Sequence, residues 1–349
     1  MRPSRRFLAL AAGLSVLALT GCSAPADTGT DGGTAASEED GVFTLYSGRD
    51  EALVQPLIDI FEEQSGIEVD VRYGNTAELG ALLLEEGDAT PAQVFLAQDA
   101  GALGALSNAD LFATLPAATT DQVPAGFTST DDTWVGVTGR ARVITYDGQK
   151  MTADEVPVSV DAFTEPEWAG RLGIAPTNAS FQSFVTAYRV LNGEEAADAW
   201  VEAIAANDPV IFDNNRAILA AVNEGVVDAG LINHYYWFAQ AAETGAENMR
   251  AQLSYPEAGD AGSIVNVTGA GLLQSGATDA DALAFIDFLV SAEAQQYFVD
   301  ETFEYPLIEG IDAPEGVPAL DSLVNSELDL ADLESLEITQ TLLGKHGLI

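Results

Sequence analysis

Hydrophobic and polar residues alternate along the chain in blocks that predict strands and helices in regular succession. From Val42, the buried strand VFTLYSG precedes an amphipathic helix, EALVQPLIDIFEEQSG, and the alternating strand IEVDVRY. The helix NTAELGALLLEEGD, the strand AQVFLA and the helix DAGALGAL continue the series. This β-α-β-α-β-α order is typical of an α/β lobe with a mostly parallel sheet.

Two details of these helices are open to a direct check. Asn75, with Glu78 three residues later, predicts a capped helix start. Pro56 must occupy the first turn of its helix or kink it, because proline lacks a backbone N–H.

A second α/β region follows from Trp134. Its strands are predicted at 134–147, 171–177, 226–233 and 262–273, and its helices at 180–191, 194–206, 214–225 and 279–299. The Leu-rich, acidic tail from Ala319 is predicted as a helix that covers a lobe. Some 300 residues from Gly41 exceed what one core usually accommodates, so we expect two lobes.

The first 22 residues have the order of parts of a secretory signal. Three arginines precede the apolar run Phe7–Leu19, which is too short to span a bilayer comfortably, and LTGC ends at Cys22. LTGC resembles the lipobox of bacterial lipoproteins, in which the cysteine is acylated and becomes the mature N-terminus. An ordinary cleaved signal with an incidental cysteine is the alternative. Residues 23–40 are small, polar and acidic, which predicts a flexible tether.

Acidic residues outnumber basic ones by 55 to 13, and the formal net charge is −42 at pH 7. Phosphate backbones would be repelled, so nucleic acid is excluded as a partner. Any anion must be bound by a few placed arginines. Cys22 is the only cysteine, so we expect no disulfide within the monomer.

Polar residues follow four predicted strands at the point where each strand ends. In open α/β sheets, ligands bind at this edge. If two lobes face each other, all four clusters can line one cleft. The clusters are Arg49–Asp50, Gln98–Asp99, Asn178 with Ser180, and Asn233–Tyr236.

Two adjacent tyrosines, Tyr235 and Tyr236, stand in the stretch LINHYYWF. Neighbouring residues on a strand point to opposite faces, so the two phenols can share a ligand only where the strand has stopped. The boundary after GLIN is such a place. Taken alone, the pair favours core packing over ligand binding.

Nearly the whole mature chain resembles the periplasmic ferric-ion-binding proteins, the iron(III) components of bacterial ABC importers. The resemblance is carried by LYSGRDEALVQPLIDIFEEQSGIEV, EEGDATPAQVFLAQDAGALGALS, WVGVTGRARVITYD, NEGVVDAGLINHYYW and EYPLIEG. It implies two α/β lobes joined by crossing strands, with Fe(III) and often carbonate in the cleft. Fe(III) is a hard ion that favours anionic oxygen donors, and it displaces the phenol proton.

The resemblance also implies a set of site residues. Tyr235 and Tyr236 match the iron-binding signature, while Asp50 and Gln98 stand where several members place a histidine and a glutamate as further ligands. Arg140, Asn178, Asn215 and Asn233 resemble anion-contacting residues, and Arg49 is a further candidate to hold the anion. His234 is expected to support the site or lie at the surface.

The sequence thus predicts a type II-like, two-lobed periplasmic binding protein. The first lobe is expected at 41–139 plus about 268–310, and the second at 140–267 plus about 311–349. The hinge is expected near Arg140 and Val267. We expect a monomeric lipoprotein on the outer face of the cytoplasmic membrane that delivers Fe(III), with a synergistic anion, to an ABC permease.

Two other hypotheses stay open from the residues. The same fold could bind an organic or phosphonate anion, a polyamine or thiamine, because function lies in the site and not in the fold. A secreted enzyme is disfavoured: the chain has two histidines, His234 and His346, and no HExxH, GxSxG or P-loop motif.

Overall fold

The computed structural model describes residues 41–323, 328 and 330–349. The predicted signal (1–22), the tether (23–40) and Cys22 lie outside these residues. The strands are β1 (Val42–Ser47), β2 (Glu68–Tyr73), β3 (Val94–Ala97), β4 (Trp134–Asp147), β5 (Leu172–Ile174), β6 (Val210–Ile211), β7 (Ala229–Asn233), β8 (Ala251–Ser254), β9 (Val265–Leu272) and β10 (Tyr305–Pro306).

Helices separate most of these strands. They are α1 (Glu51–Ser65), α2 (Thr76–Glu86), α3 (Ala100–Asn108), α4 (Ala117–Thr120), α5 (Ala179–Asn192), α6 (Glu194–Ala206), α7 (Asn215–Glu224), α8 (Tyr235–Thr244), α9 (Ala280–Leu289), α10 (Ala292–Tyr297) and α11 (Leu336–Lys345). A π-helical turn, Phe298–Thr302, follows α10. Within the described part of the chain, no helix is long and apolar enough to cross a membrane.

The strands form a mixed sheet in the order β2-β1-β3-β9-β4-β7-β5-β6, with β8 and β10 also paired to β4. Strands β1, β2 and β3 run parallel, as do β5, β6 and β7. The long strand β4 joins the two parallel groups, because it pairs antiparallel with β9 over Trp134–Ala141 and with β7 over Arg142–Tyr146. Every residue of β4 is buried. The carboxyl ends of β1, β3 and β7 therefore lead into the polar clusters of the sequence.

Capping side chains mark the starts of helices α1 and α2. Asn75 caps α2 by accepting from the Ala77 N–H at 2.9 Å, as predicted. Asp50 caps α1 in the same way through Ala52. Pro56 is the sixth residue of α1, and the helix continues through it to Ser65. Of the two predicted alternatives, the structure excludes a place for Pro56 in the first turn.

Other predicted elements differ from the structure in length. The helix predicted at 279–299 is two helices, α9 and α10, because the Ser291 hydroxyl accepts from the Ala294 N–H at 3.3 Å and starts a new helix. The strand predicted at 226–233 begins only at Ala229. The tail contains α11, which packs against α5 and α6; residues 324–327 and 329 of that tail lie outside the description. Strands β6, β8 and β10 and helix α8 were not predicted.

Candidate metal centre

The two tyrosines lie where β7 becomes α8. The strand ends at Asn233 and the helix begins at Tyr235, so the alternation of strand side chains no longer separates the two phenols. Their rings stack, with centroids 4.2 Å apart and planes at 29°. Tyr235 is 2 % exposed. Burial and the neighbouring Tyr235 raise the pKa of Tyr236 well above its ordinary value, while Arg49 and Arg140 act in the opposite direction.

His234 supports the pair from inside the protein. Its ring is fully buried; Nδ1 accepts from the Ala141 N–H at 3.2 Å and Nε2 lies 2.9 Å from the Phe303 carbonyl oxygen. Because Nδ1 accepts, Nε2 carries the proton and the imidazole is neutral. Burial lowers the pKa of His234 to about 4. Both ring nitrogens are thus occupied by backbone groups, which gives His234 the supporting role rather than the surface one.

Arg49 lies beside Tyr235 from the opposite half of the sheet. It follows β1, is 2 % exposed, and its guanidinium carbon is 5.9 Å from the Tyr235 ring centroid. Its Nη2 donates to the carboxylate of Glu304. Burial acts to lower the pKa of Arg49, but the Glu304 carboxylate outweighs it and the net shift is upward. The Nε atom is buried and has no hydrogen-bond partner in the described part of the chain.

Two further arginines project from β4. Arg140 donates through Nη2 to the Val267 carbonyl at 3.2 Å, while its Nε and Nη1 have no partner among the described residues. Arg142 donates through Nη1 to Ser180 Oγ and Asn215 Oδ1, both at 3.3 Å, and through Nη2 to the Leu231 carbonyl at 2.9 Å. Burial lowers the pKa of Arg142 to about 9. Buried guanidinium N–H groups without partners favour an anion.

Asn178 and Asn215 lie together, at the starts of α5 and α7. The Asn178 Oδ1 atom accepts from the Ser180 hydroxyl at 2.6 Å and from Asn215 Nδ2 at 3.2 Å. The arginine that reaches this cluster is Arg142, which sequence reasoning missed. It could have been found, because Arg140 and Arg142 are two apart on one strand and share a face. Asn233, the last residue of β7, lies opposite Arg142 in the register.

Asp50 pairs with Arg216, which lies beside Tyr236. Its Oδ2 atom is 3.6 Å from Arg216 Nη2, and the Arg216 guanidinium carbon is 5.8 Å from the Tyr236 ring centroid. Both partners of this ion pair are more than half exposed, so it contributes little stability. The Gln98 N–H donates to Thr76 Oγ1 at 3.0 Å, and its side-chain nitrogen has no partner among the described residues.

An open cavity of about 180 Å³ adjoins the phenols. It is lined by both tyrosines, by Arg216 and by Glu243, a carboxylate of α8 that the sequence did not single out. Among the described residues, no three His, Cys, Asp or Glu side chains converge as a metal site. The donors present are phenol oxygens with cations around them, which suits a hard, highly charged ion accompanied by an anion.

The fold and this polar edge define a two-lobed solute-binding protein. The sequence pattern of the bacterial extracellular solute-binding proteins matches residues 89–324. The chain is 34% identical over 319 residues to an Fe(3+)-binding periplasmic protein of Serratia marcescens, covering 91% of this chain and 94% of that protein. It is also 34% identical to the major ferric iron-binding protein of Neisseria meningitidis serogroup B, over 78% of this chain and 83% of that protein.

A solved structure is also similar to this chain over most of its length. Iron-bound HitA from Pseudomonas aeruginosa matches with a TM-score of 0.83 and 31% identity, over 88% of this chain and 99% of that one. The chain therefore belongs to the family of periplasmic ferric-ion-binding proteins. The predicted family and the predicted two-lobed α/β fold are confirmed.

Proposed function

We propose that this protein captures Fe(III) outside the cytoplasm, together with a synergistic anion, and delivers it to an ABC importer. The observation that carries the proposal is the stacked pair Tyr235 and Tyr236 at the start of α8. The ferric names of the relatives point to the same cargo. Two phenolates supply the hard anionic oxygens that Fe(III) favours.

The iron shell is proposed to combine the tyrosines with weaker donors from the other lobe. Asp50 caps α1 and pairs with Arg216, so it must leave that cation before it can bind iron. Gln98 is neutral, which makes it a weak donor. We therefore assign the strongest protein bonds to Tyr235 and Tyr236, and expect water or the anion to complete the shell.

The anion is proposed to bind beside the metal, on the arginines. Arg49 and Arg140 both have buried N–H groups without partners among the described residues. Arg142 joins the group of Asn178, Ser180 and Asn215. Carbonate is the simplest occupant, because its planar oxygens match a guanidinium fork. Asn233 remains a proposed contact by its place beside Arg142.

Delivery is proposed to involve closure of two lobes and a lipid anchor. The lobes are 41–139 with about 268–310, and 140–267 with about 311–349; their joint near Arg140 and Val267 is supported by the pairing of β4 with both halves of the sheet. Acylated Cys22 would hold a monomer at the outer face of the cytoplasmic membrane. We propose transport without catalysis.

A second candidate function keeps the site and changes the cargo. The unpartnered N–H groups of Arg49 and Arg140 would also suit an organic or phosphonate anion without metal. The same buried cations disfavour a polyamine or thiamine. A thermal-shift screen separates the two cases, since a bound ligand raises the melting temperature. Stabilisation by organic anions alone, with none from ferric salts, would favour the second function.

The proposed function is tested by a visible titration with ferric citrate at neutral pH, on the chain from Ser23. We expect a phenolate-to-iron charge-transfer band that saturates near one equivalent. The band is absent from the Tyr235→Phe/Tyr236→Phe variant. Tyr188→Phe is the matched control, because the Tyr188 hydroxyl donates to Asp161 instead of facing the cleft residues. Unchanged iron binding in the Tyr235→Phe/Tyr236→Phe variant would refute the proposed function.

A further inference from the structure

Two adjacent residues, Phe303 and Glu304, are hydrogen-bonded to neighbours of Tyr235. They follow the π-helical turn and precede β10. Phe303 has φ of 58°, a left-handed conformation that bulky residues rarely adopt. Such a conformation persists where the surroundings determine it, often at functional sites. The contacts of Phe303 and Glu304 therefore bear on the function of the neighbouring site.

Each of the two residues holds one neighbour of Tyr235. The Phe303 carbonyl accepts from His234 Nε2 at 2.9 Å, and the His234 ring lies 6.0 Å from the Tyr235 ring. The Glu304 carboxylate accepts from Arg49 Nη2, and the Arg49 guanidinium lies 5.9 Å from the same ring. Two neighbours of the Tyr235 ring are thus hydrogen-bonded to residues 303 and 304.

Of the two residues, Glu304 has the larger electrostatic effect on the site, because it carries a charge. Its side chain is fully buried, and among the described residues it is the one carboxylate in an ion pair with Arg49. Its other partner is the neutral hydroxyl of Thr138, on β4. Arg140 is buried nearby and has two unpartnered nitrogens. Without Glu304, the guanidinium charges beside the tyrosines would lack this offset, and a trivalent cation would be repelled more strongly.

We propose that Glu304 is a positioning residue of the iron site: it holds Arg49 against Tyr235 and offsets its charge, and so sets how tightly the tyrosines bind Fe(III). This inference rests on the proposed function. Its rival is a purely structural ion pair. A structural pair would alter the melting temperature but not the iron spectrum, and it would show no coupling to Arg49 in iron affinity.

The experiment measures Fe(III) affinity, by competition with citrate, and the position of the charge-transfer band in the mature protein. Glu304→Gln keeps the side-chain volume and removes the charge. We expect its affinity to fall about thirtyfold or more, the scale for losing one partner of a buried charge pair, and its band to shift. Asp147→Asn is the matched control, because the Asp147 side chain is also fully buried and is paired with an arginine, Arg250, outside the residues of the site.

The double variant Arg49→Gln/Glu304→Gln gives the sharper result. If Glu304 acts through Arg49, the double variant loses less affinity than the sum of the losses in Arg49→Gln and Glu304→Gln, whatever Arg49 also does for the anion. Thr138→Val, which loosens the carboxylate but keeps its charge, should shift the band in the same direction by less. It keeps the inference testable if Glu304→Gln does not fold.

The outcomes separate the two claims. A wild-type protein without a charge-transfer band refutes the proposed function and this inference with it. A wild-type band that Glu304→Gln and Thr138→Val leave unchanged refutes only the inference. A double variant whose loss of affinity equals the sum of the losses in Arg49→Gln and Glu304→Gln also overturns it, because Glu304 would then act independently of Arg49.

Discussion

Arg142 should lower the free energy of unfolding of the iron-free protein. The Arg142→Met variant measures this effect. Its guanidinium is 2 % exposed and has no carboxylate partner in the described residues. Burial lowers its pKa to about 9, against about 12.5 for a free arginine. At 1.36 kcal/mol for each pH unit, holding the charge costs about 5 kcal/mol.

Part of that cost is offset by the contacts that Arg142 makes. The two long bonds, to Ser180 and Asn215, contribute about 1 kcal/mol each, and the shorter bond to the Leu231 carbonyl contributes about 2 kcal/mol because its donor is charged. Arg142→Met should therefore stabilise the iron-free protein by about 1 kcal/mol. For about 310 folded residues, that is a rise in melting temperature of about 1–2 °C. The variant should at the same time lose the stabilisation that an anion gives the wild type.

The sign of the pH dependence follows from the direction of the pKa shift. Since the folded pKa lies below the unfolded one, the unfolded chain holds the proton more tightly. The free-energy cost of keeping Arg142 charged in the folded protein is therefore complete below about pH 9 and decreases as the pH rises above 9. The extra stability of Arg142→Met relative to the wild type should accordingly become smaller above pH 9. Urea unfolding at pH 7 and pH 10 measures this difference.

Arg189→Met is the control for this prediction. Arg189 is also buried on α5, but its N–H groups are bonded to Glu194, Ser335 and Thr339. The Glu194 carboxylate already compensates the charge of Arg189, so removing Arg189 breaks an ion pair without relieving an unpaired buried charge, and it should destabilise the protein. An Arg142→Met protein that unfolds at lower urea than the wild type, without iron or anion, would refute the reasoning.

Three further predictions follow from single contacts. Burial opposes it, but bidentate bonding by Arg250 holds the pKa of Asp147 below its ordinary value. The stability that Asp147 adds is therefore present at neutral pH and is lost progressively as the pH falls below about 4. Asp147→Asn should lower the free energy of unfolding by about 3 kcal/mol at pH 7, and urea titrations at pH 3 should give a loss about 1 kcal/mol smaller. Gly48→Ala would place a Cβ 2.0 Å from Thr76 Oγ1, so it should destabilise the turn before the site by about 1–3 kcal/mol and weaken iron binding in the citrate competition, whereas Gly126→Ala, which meets open space, should do neither. Iron binding that releases two phenol protons should weaken roughly a hundredfold for each unit of acidification, and a pH-independent affinity would contradict phenolate ligation.

The elements with clear borders could be predicted from the sequence. Strand β4 matches its predicted range, Trp134–Asp147, and α6 matches Glu194–Ala206, because turn residues bound each block. The break between α9 and α10 was missed because the apolar spacing continues across Ser291, whose capping hydrogen bond is a local choice. Strands β6 and β10 have two residues each, too few to show any alternation.

Some residues of the site could likewise be predicted from the sequence, and others could not. The position of the tyrosines after a strand could be predicted, because a strand end is a local feature. Arg142 was missed although the alternation in GRARV places it beside Arg140. Glu304 could not be found, since its partner Arg49 is 255 residues away in the chain and no local pattern connects them. Partnerships between distant residues are set by how β1, β4 and β10 come together.

The central claim is that Tyr235 and Tyr236 bind one Fe(III). Anomalous diffraction at the iron absorption edge, from crystals grown with ferric citrate, tests it most directly. We predict one strong peak within bonding distance of both phenol oxygens. A peak elsewhere, or none in crystals whose solution shows bound iron, would contradict the account.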